Sequence, residues 1–297
     1  MLRNIRIVGE YGTLEIDGTV FKLVDGLDLS NLAVDVNYIE TTGDGGLYQN
    51  SRLKPRGISM EIQIRHQDTD QVTQDLRRRQ IYAILNPKAG EYQIEFEDSD
   101  ANEYYIKGYL TYAPTMKPDK KNNNAAFQKM LVQFICLDPF VYKKDSSRFS
   151  NFTVNDNSGF EFPLEIIENQ FEFATLTENN MIEAFSNGSL DTGMRLEVEF
   201  STDTQNFRIT NEDTGEYFQV TYQFQAGDRI VANTTRNARN VVLYRGDSVI
   251  NLRNNVTLES TYFQIHPGEN NLSLRVTSGN FNNIVCSVSF RERYLGV

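Results

Sequence analysis

The residues that could do chemistry by type and spacing are few. Asp98-Ser-Asp-Ala-Asn102 sets oxygen-bearing side chains at alternate positions, the way a calcium loop begins as its backbone curls around the ion. The pattern then breaks. Glu103 stands where the sharp turn requires glycine and Tyr109 where a bidentate glutamate would close the shell, so the stretch reads as a hairpin turn. The two histidines, His66 and His266, lie in no nucleophile or metal-ligand spacing, and His266 precedes the turn residues Pro267-Gly268. A glycosidase needs two facing carboxylates, but 40 Asp and Glu residues would supply such a pair by chance. The expectation is a chain with no catalytic residue, no cofactor-binding residue and no metal ligand, and not an enzyme.

Binding chemistry is equally restricted. The net charge is −11, whereas a sequence-independent grip on nucleic acid or an anionic membrane needs clustered cations. The one tight basic cluster, Arg77-Arg78-Arg79, falls in a helical pattern where consecutive residues point in different directions. Arg245-Gly246-Asp247 spells an adhesion tripeptide, yet Gly-Asp is also what a tight turn between two strands requires. Saccharide binding is the more serious rival, although the chain has no tryptophan to offer as a flat platform for a pyranose ring. Cys136 and Cys286 sit in apolar strand runs and read as small buried hydrophobes rather than a disulfide. No apolar run at the start is long enough for a signal peptide, so use without export by its own signal is expected.

The elements that would position these residues are mostly strands. Ile58, Met60, Ile62 and Ile64 alternate with polar partners, as do Tyr92, Ile94 and Phe96, then Leu196, Val198 and Phe200, then Leu272 and Leu274, then Cys286, Val288 and Phe290. One helix is predicted from Thr69 to Leu85, with Val72, Leu76, Ile81, Ile84 and Leu85 as its apolar positions, capping candidates at Asp68 to Asp70, and a stop at Pro87. Two long loops are predicted, Thr41 to Gly57 and Met116 to Ala126. Every lysine falls at or before Lys144, which places a junction in Lys143-Lys-Asp-Ser-Ser-Arg148 between a unit over 1–145 and a unit over 146–297. The fold class expected is mainly β: an N-terminal β-sandwich or barrel-like domain with one α-helix, then a C-terminal antiparallel β-sandwich of lectin or jelly-roll type.

The succession Gly227-Asp228-Arg229-Ile230, Val241-Val242-Leu243-Tyr244-Arg245-Gly246, Ser260-Thr-Tyr-Phe-Gln-Ile-His-Pro-Gly-Glu-Asn270 and Arg291-Glu-Arg-Tyr-Leu-Gly-Val297 resembles the C-terminal domain of distal tail proteins of long-tailed phages. The Gly43-Asp44-Gly45 loop, the strand at Ile58 to Ile64, the helix ending in Leu85-Asn86-Pro87, and the strands at Tyr92 to Phe96 and Tyr104 to Tyr112 resemble the N-terminal domain of the same family. That resemblance implies a homohexameric ring at a siphovirus tail tip, built by the N-terminal domain around the DNA channel. It implies the major tail tube protein and the tail-associated baseplate hub protein as partners, with a receptor-binding protein as a further candidate. It also implies residence in the virion after synthesis in the bacterial cytoplasm, with no membrane and no specific nucleic-acid partner. Some members carry a long arm in the C-terminal domain, whereas 146–297 is only long enough for the sandwich. The alternative reading is a carbohydrate-binding adhesin module for the host cell wall.

Overall fold

The structure, a computed structural model, describes residues 3–65, 71–116, 118–123, 126–150, 181–277 and 284–297. It is built almost wholly of antiparallel strands. The chain divides into two units, one of Met1–Asp145 with Arg293–Val297 and one of Ser146–Glu292.

In chain order the first unit contains β1 (Arg3–Gly9), β2 (Gly12–Ile16), β3 (Phe21–Asp25), β4 (Val34–Glu40), β5 (Gly46–Leu53), β6 (Arg56–Arg65), α1 (Gln71–Ile84), β7 (Glu91–Glu97), β8 (Glu103–Leu110), β9 (Thr115–Met116), β10 (Phe127–Cys136) and β11 (Val141–Lys143). The main sheet runs β2-β1-β7-β8-β10-β6-β3. Its longest ladder pairs β6 with β10 from Phe127↔Arg65 to Cys136↔Arg56. Because successive side chains point to opposite faces, the pairs Met130↔Ile62, Val132↔Met60 and Phe134↔Ile58 all fall inward, and all six residues are buried. Each such side chain contributes about 1.5–3 kcal/mol by leaving water.

The helix begins within the predicted span, and its predicted caps Asp68 to Asp70 lie outside the described residues. Its buried face is Ile81 and Leu85 with Ile84 packed alongside, while Leu76 is exposed. A step of five residues swings a side chain about 140° around the helix, which carries Leu76 off the face that Ile81 shares. The predicted loop Thr41 to Gly57 is corrected more strongly, since its Gly46–Leu53 stretch is strand β5, paired with β4 as a hairpin, and Arg56 and Gly57 already belong to β6. Of the second predicted loop, Met116 belongs to β9 and Asn123 bridges Gln128; Lys117, Asn124 and Ala125 lie outside the described residues.

The second unit contains β12 (Ser147–Ser150), β13 (Met181–Ser186), β14 (Met194–Phe200), β15 (Thr204–Asn211), β16 (Tyr217–Phe224), β17 (Arg229–Asn233), β18 (Asn240–Arg245), β19 (Ser248–Asn251), β20 (Gly268–Arg275) and β21 (Ile284–Phe290). One sheet is ordered β12-β21-β14-β17-β18-β19 and the other β13-β20-β15-β16. Leu196, Val198, Ile230, Leu243, Cys286 and Val288 of the first sheet share one core with Ile182, Ile209, Phe218, Val220, Leu272 and Leu274 of the second, which makes the unit a β-sandwich. Phe200 of β14 stacks on Phe224 of β16 at 4.3 Å between ring centroids and so ties the two layers together.

The second unit does not run to Val297. After β21 the chain returns to the first unit, where β22 (Arg293–Tyr294) pairs with β11 through Val141↔Tyr294 and Tyr142↔Arg293. The reason is steric and aromatic: the Tyr294 ring meets Tyr104 edge-on at 5.5 Å, and the Arg293 guanidinium lies 3.9 Å from the Phe140 ring centre. In chain order the second unit is therefore an insertion between two strands that pair with each other.

A close backbone crossing makes one position of the sandwich intolerant of a side chain. A Cβ at Gly193 would lie 2.4 Å from the Thr235 Cα and 2.7 Å from its amide nitrogen. Gly193→Ala is expected to destabilise the second unit by about 2–4 kcal/mol. Thermal unfolding followed by exchange of second-unit amides should show the loss, with first-unit amides unchanged.

Candidate functional site

The described residues among those singled out for chemistry serve turns, ion pairs or the core. Asp98 accepts backbone N–H bonds from Asp100 at 2.8 Å and Asn102 at 2.9 Å, and the Asn102 side-chain amide at 2.9 Å, so its oxygens hold the β7–β8 turn. These bonds, that from the Asn102 side chain above all, hold its carboxyl below the ordinary range. His66 lies outside the described residues. His266 has Nδ1 2.7 Å from Asp191 Oδ1, and its backbone N–H donates to Asn270 Oδ1 at 2.9 Å, which fastens the turn before β20. Cys136 and Cys286 are free, buried and in different units; burial pushes the Cys136 thiol up to about 12 and the Cys286 thiol up as well.

Among the described residues, Glu95 and Glu103 form a carboxylate pair that shares its cationic partners on the first unit's sheet. Lys144 Nζ bridges them at 3.1 and 2.6 Å, and Arg6 contacts both at 3.5 and 3.3 Å. The hydrogen bond from Lys144 holds the Glu103 carboxyl below its ordinary value against desolvation, with the Lys144 and Arg6 charges adding to it. A general acid at neutral pH needs the opposite shift. The cluster is a structural ion network.

In the second unit the adhesion tripeptide is a turn. Gly246 has φ +53 between β18 and β19, and Arg245 is committed to buried Asp228 through Nε at 2.8 Å and Nη2 at 2.6 Å. The four tyrosines of this unit, Tyr217, Tyr222, Tyr244 and Tyr262, each have an arginine guanidinium over the ring, at 3.7 to 5.7 Å from its centre. One face of every candidate tyrosine platform is thus already taken. The basic cluster of α1 is dispersed too, with Arg77 donating to the Arg65 carbonyl at 3.0 Å and Arg78 to Gln128 Oε1 at 2.6 Å.

Among the described residues, exposed apolar side chains gather on the β4–β5 hairpin, where Val34, Val36, Tyr38, Ile39, Leu47 and Tyr48 all stand in solvent. The hairpin forms a two-stranded sheet of its own, tied at its base by the Lys54 N–H to the Ala33 carbonyl at 2.8 Å and by Asp35 to Arg52 and Lys54. At its tip Thr41 Oγ1 donates to the Gly45 carbonyl at 3.0 Å, and Gly45 has φ +95, which suits glycine. The register pairs Val34↔Leu53, Val36↔Ser51 and Tyr38↔Tyr48, with a bulge at Gln49. Alternation therefore puts Val34, Val36, Tyr38, Tyr48 and Leu53 on one face, and Asp35, Asn37, Asn50 and Arg52 on the other. Tyr48 Oη donates to Ser51 Oγ at 3.0 Å on that apolar face. Val36 is 50% exposed, Tyr38 60% and Tyr48 65%, and at the tip Ile39 and Leu47 are exposed on the opposite face. The Gly43-Asp44-Gly45 loop was expected from the sequence, whereas the second arm, expected as part of the same loop, is strand β5.

A two-stranded sheet with an uncovered apolar face is marginal in water and marks a surface made to be covered. A surface of that kind suits an assembly component. The comparisons agree with that class: residues 187–294 match the siphovirus-type tail component C-terminal domain, and residues 8–136 match the phage tail protein RIFT-related domain. The chain is a siphovirus tail component and belongs to the distal tail protein family. Its fold is similar to that in the crystal structure of SPP1 Dit, described as a paradigm of the hub adsorption apparatus in phages infecting Gram-positive bacteria. The TM-score is 0.68 at 16% identity over 99% of each chain. It is also similar to a chain of the phage P2 baseplate in its activated conformation with calcium, at a TM-score of 0.55 and 11% identity over 100% of each chain. No curated protein matches it.

The Arg245–Asp228 pair gives a pH-dependent test. Burial alone would raise the Asp228 carboxyl, but the Arg245 hydrogen bonds, the Gln225 N–H and the Arg245 charge together hold it below its ordinary value. A depressed folded-state pKa stabilises above the unfolded value, about pH 3.9, and that contribution is lost as pH falls through the folded value. Arg245→Met is expected to cost the second unit about 3 kcal/mol at pH 7 by leaving a buried carboxylate unpaired. Denaturant titrations at pH 7 and pH 3 should show the difference between wild type and variant shrinking at the lower pH.

Proposed function

We propose that the chain is a structural hub of a siphovirus tail tip, a homohexameric ring that joins the tail tube to the tail-associated hub and host-recognition proteins around the DNA channel. It performs no catalysis. The observation that carries this reading is the amphipathic β4–β5 hairpin. A ring closes through heterologous contacts, so each subunit must offer a patch that fits a different patch on its neighbour. The apolar face of Val34, Val36, Tyr38, Tyr48 and Leu53 is such a patch, and burying it against the next copy removes the cost of leaving it in water. The hairpin belongs to the first unit, which is accordingly the ring-forming domain.

Family membership and the fold shared with SPP1 Dit and with a phage P2 baseplate chain support the setting in the baseplate. The saccharide alternative has less support, because the second unit has no tryptophan and each of its tyrosines carries an arginine.

Two charges placed on the apolar face separate assembly from folding. Tyr38→Asp with Tyr48→Asp should convert hexamers to monomers in light scattering while each unit of the monomer still unfolds cooperatively, since both side chains are exposed and lie outside the two cores. A variant that stays hexameric would contradict the hairpin's role. Calorimetric titration of the full chain with cell-wall saccharides should show no low-micromolar binding.

A further inference from the structure

Arg56 stands opposite Cys136 in the last inward-facing pair of β6 and β10, with no exposed surface. Alternation reserves that place for an apolar side chain. The guanidinium donates from Nη2 to the Leu295 carbonyl, in the segment that follows the second unit, while Nε and Nη1 have no hydrogen-bond partner. Burial pulls its pKa below the ordinary guanidinium value. A buried charge deprived of its remaining acceptor is among the costliest defects a fold can carry. Without Leu295 the start of β6 would have to open to water.

That place is also the root of the docking hairpin. β5 ends at Leu53 and β6 begins at Arg56, so only Lys54-Pro55 separates the two. On the other side of the returning segment, β22 covers the free edge of β11, whose opposite edge pairs with β8 through Tyr142↔Tyr105 and Lys143↔Tyr104. The same few residues therefore complete the sheet edge and fix the anchor of the hairpin.

We propose that Arg293–Val297 is a latch: the first unit becomes competent to assemble only when this segment beyond the second unit has been made, has paired with β11 and has capped Arg56. This rests on the reading that the first unit closes the ring. Its consequence is selective. A chain whose synthesis halts anywhere within the second unit carries an unlatched first unit and is kept out of a ring that a single defective subunit would spoil.

The test compares the full chain, the chain lacking Arg293–Val297, and the Arg56→Met substitution in both, by hydrogen exchange and light scattering. Removing the segment should lower protection at Val141–Lys143 and Arg56–Ile58 on the order of a hundredfold and the hexamer fraction at least about tenfold. Arg56→Met in the shortened chain should recover about tenfold protection at Arg56–Ile58, because the stranded charge is gone, and none at Val141–Lys143. In the full chain Arg56→Met should keep the fold and speed exchange about tenfold at Tyr294–Gly296. A shortened chain with unchanged protection overturns the latch. Lost protection with hexamers intact overturns its coupling to assembly. A full chain that is itself monomeric overturns the ring reading and that coupling, and leaves exchange to decide the structural half.

Discussion

The first unit depends on the antiparallel ladder between Arg56–Arg65 and Phe127–Cys136. Ten consecutive pairs fix which side chains of each strand face the core, and a slip of one residue would turn Ile58, Met60, Ile62 and Ile64 out to solvent. The ladder also sets what lies at its ends. At one end Arg56 is carried into the interior and the β4–β5 hairpin leaves the sheet; at the other, Gln128 is buried and receives Arg78 from α1. The hairpin can project because a long, two-sided ladder holds its root. A surface kept for a partner needs an anchor that does not itself depend on that partner.

The second unit solves a different problem. Its two sheets share one core, and each of its tyrosines has an arginine over one ring face. Positive charge in this unit is carried on arginine alone, and a planar guanidinium can both stack on a ring and pair with a carboxylate. Arg229 does both, lying 4.7 Å from the Tyr244 ring centre and pairing with Glu197. Arg245 likewise serves Asp228 and Tyr222.

Much of this fold was legible because burial on one face writes itself into sequence with period two. Ile58 to Ile64, Tyr92 to Phe96 and Leu196 to Phe200 all face the cores that alternation assigned to them. Strand β5 was not legible, for the converse reason: neither of its faces is buried in the chain, and the bulge at Gln49 breaks what alternation it has. The returning strand is two residues long and cannot show a period at all. The place of Arg56 was hidden because its acceptor lies 239 positions away and because arginine in a strand ordinarily reads as an outward residue. The turn chemistry at Asp98 and Gly246, which is local, was readable from the residues themselves.

The measurement that tests the account most directly is an averaged electron-microscopy image of the purified full chain, with the subunit boundaries resolved. The account predicts closed six-fold rings in which the boundary between neighbours runs along the apolar face of the β4–β5 hairpin. Isolated monomers, or rings whose boundaries run only through second units with the hairpins standing free in solvent, would contradict it.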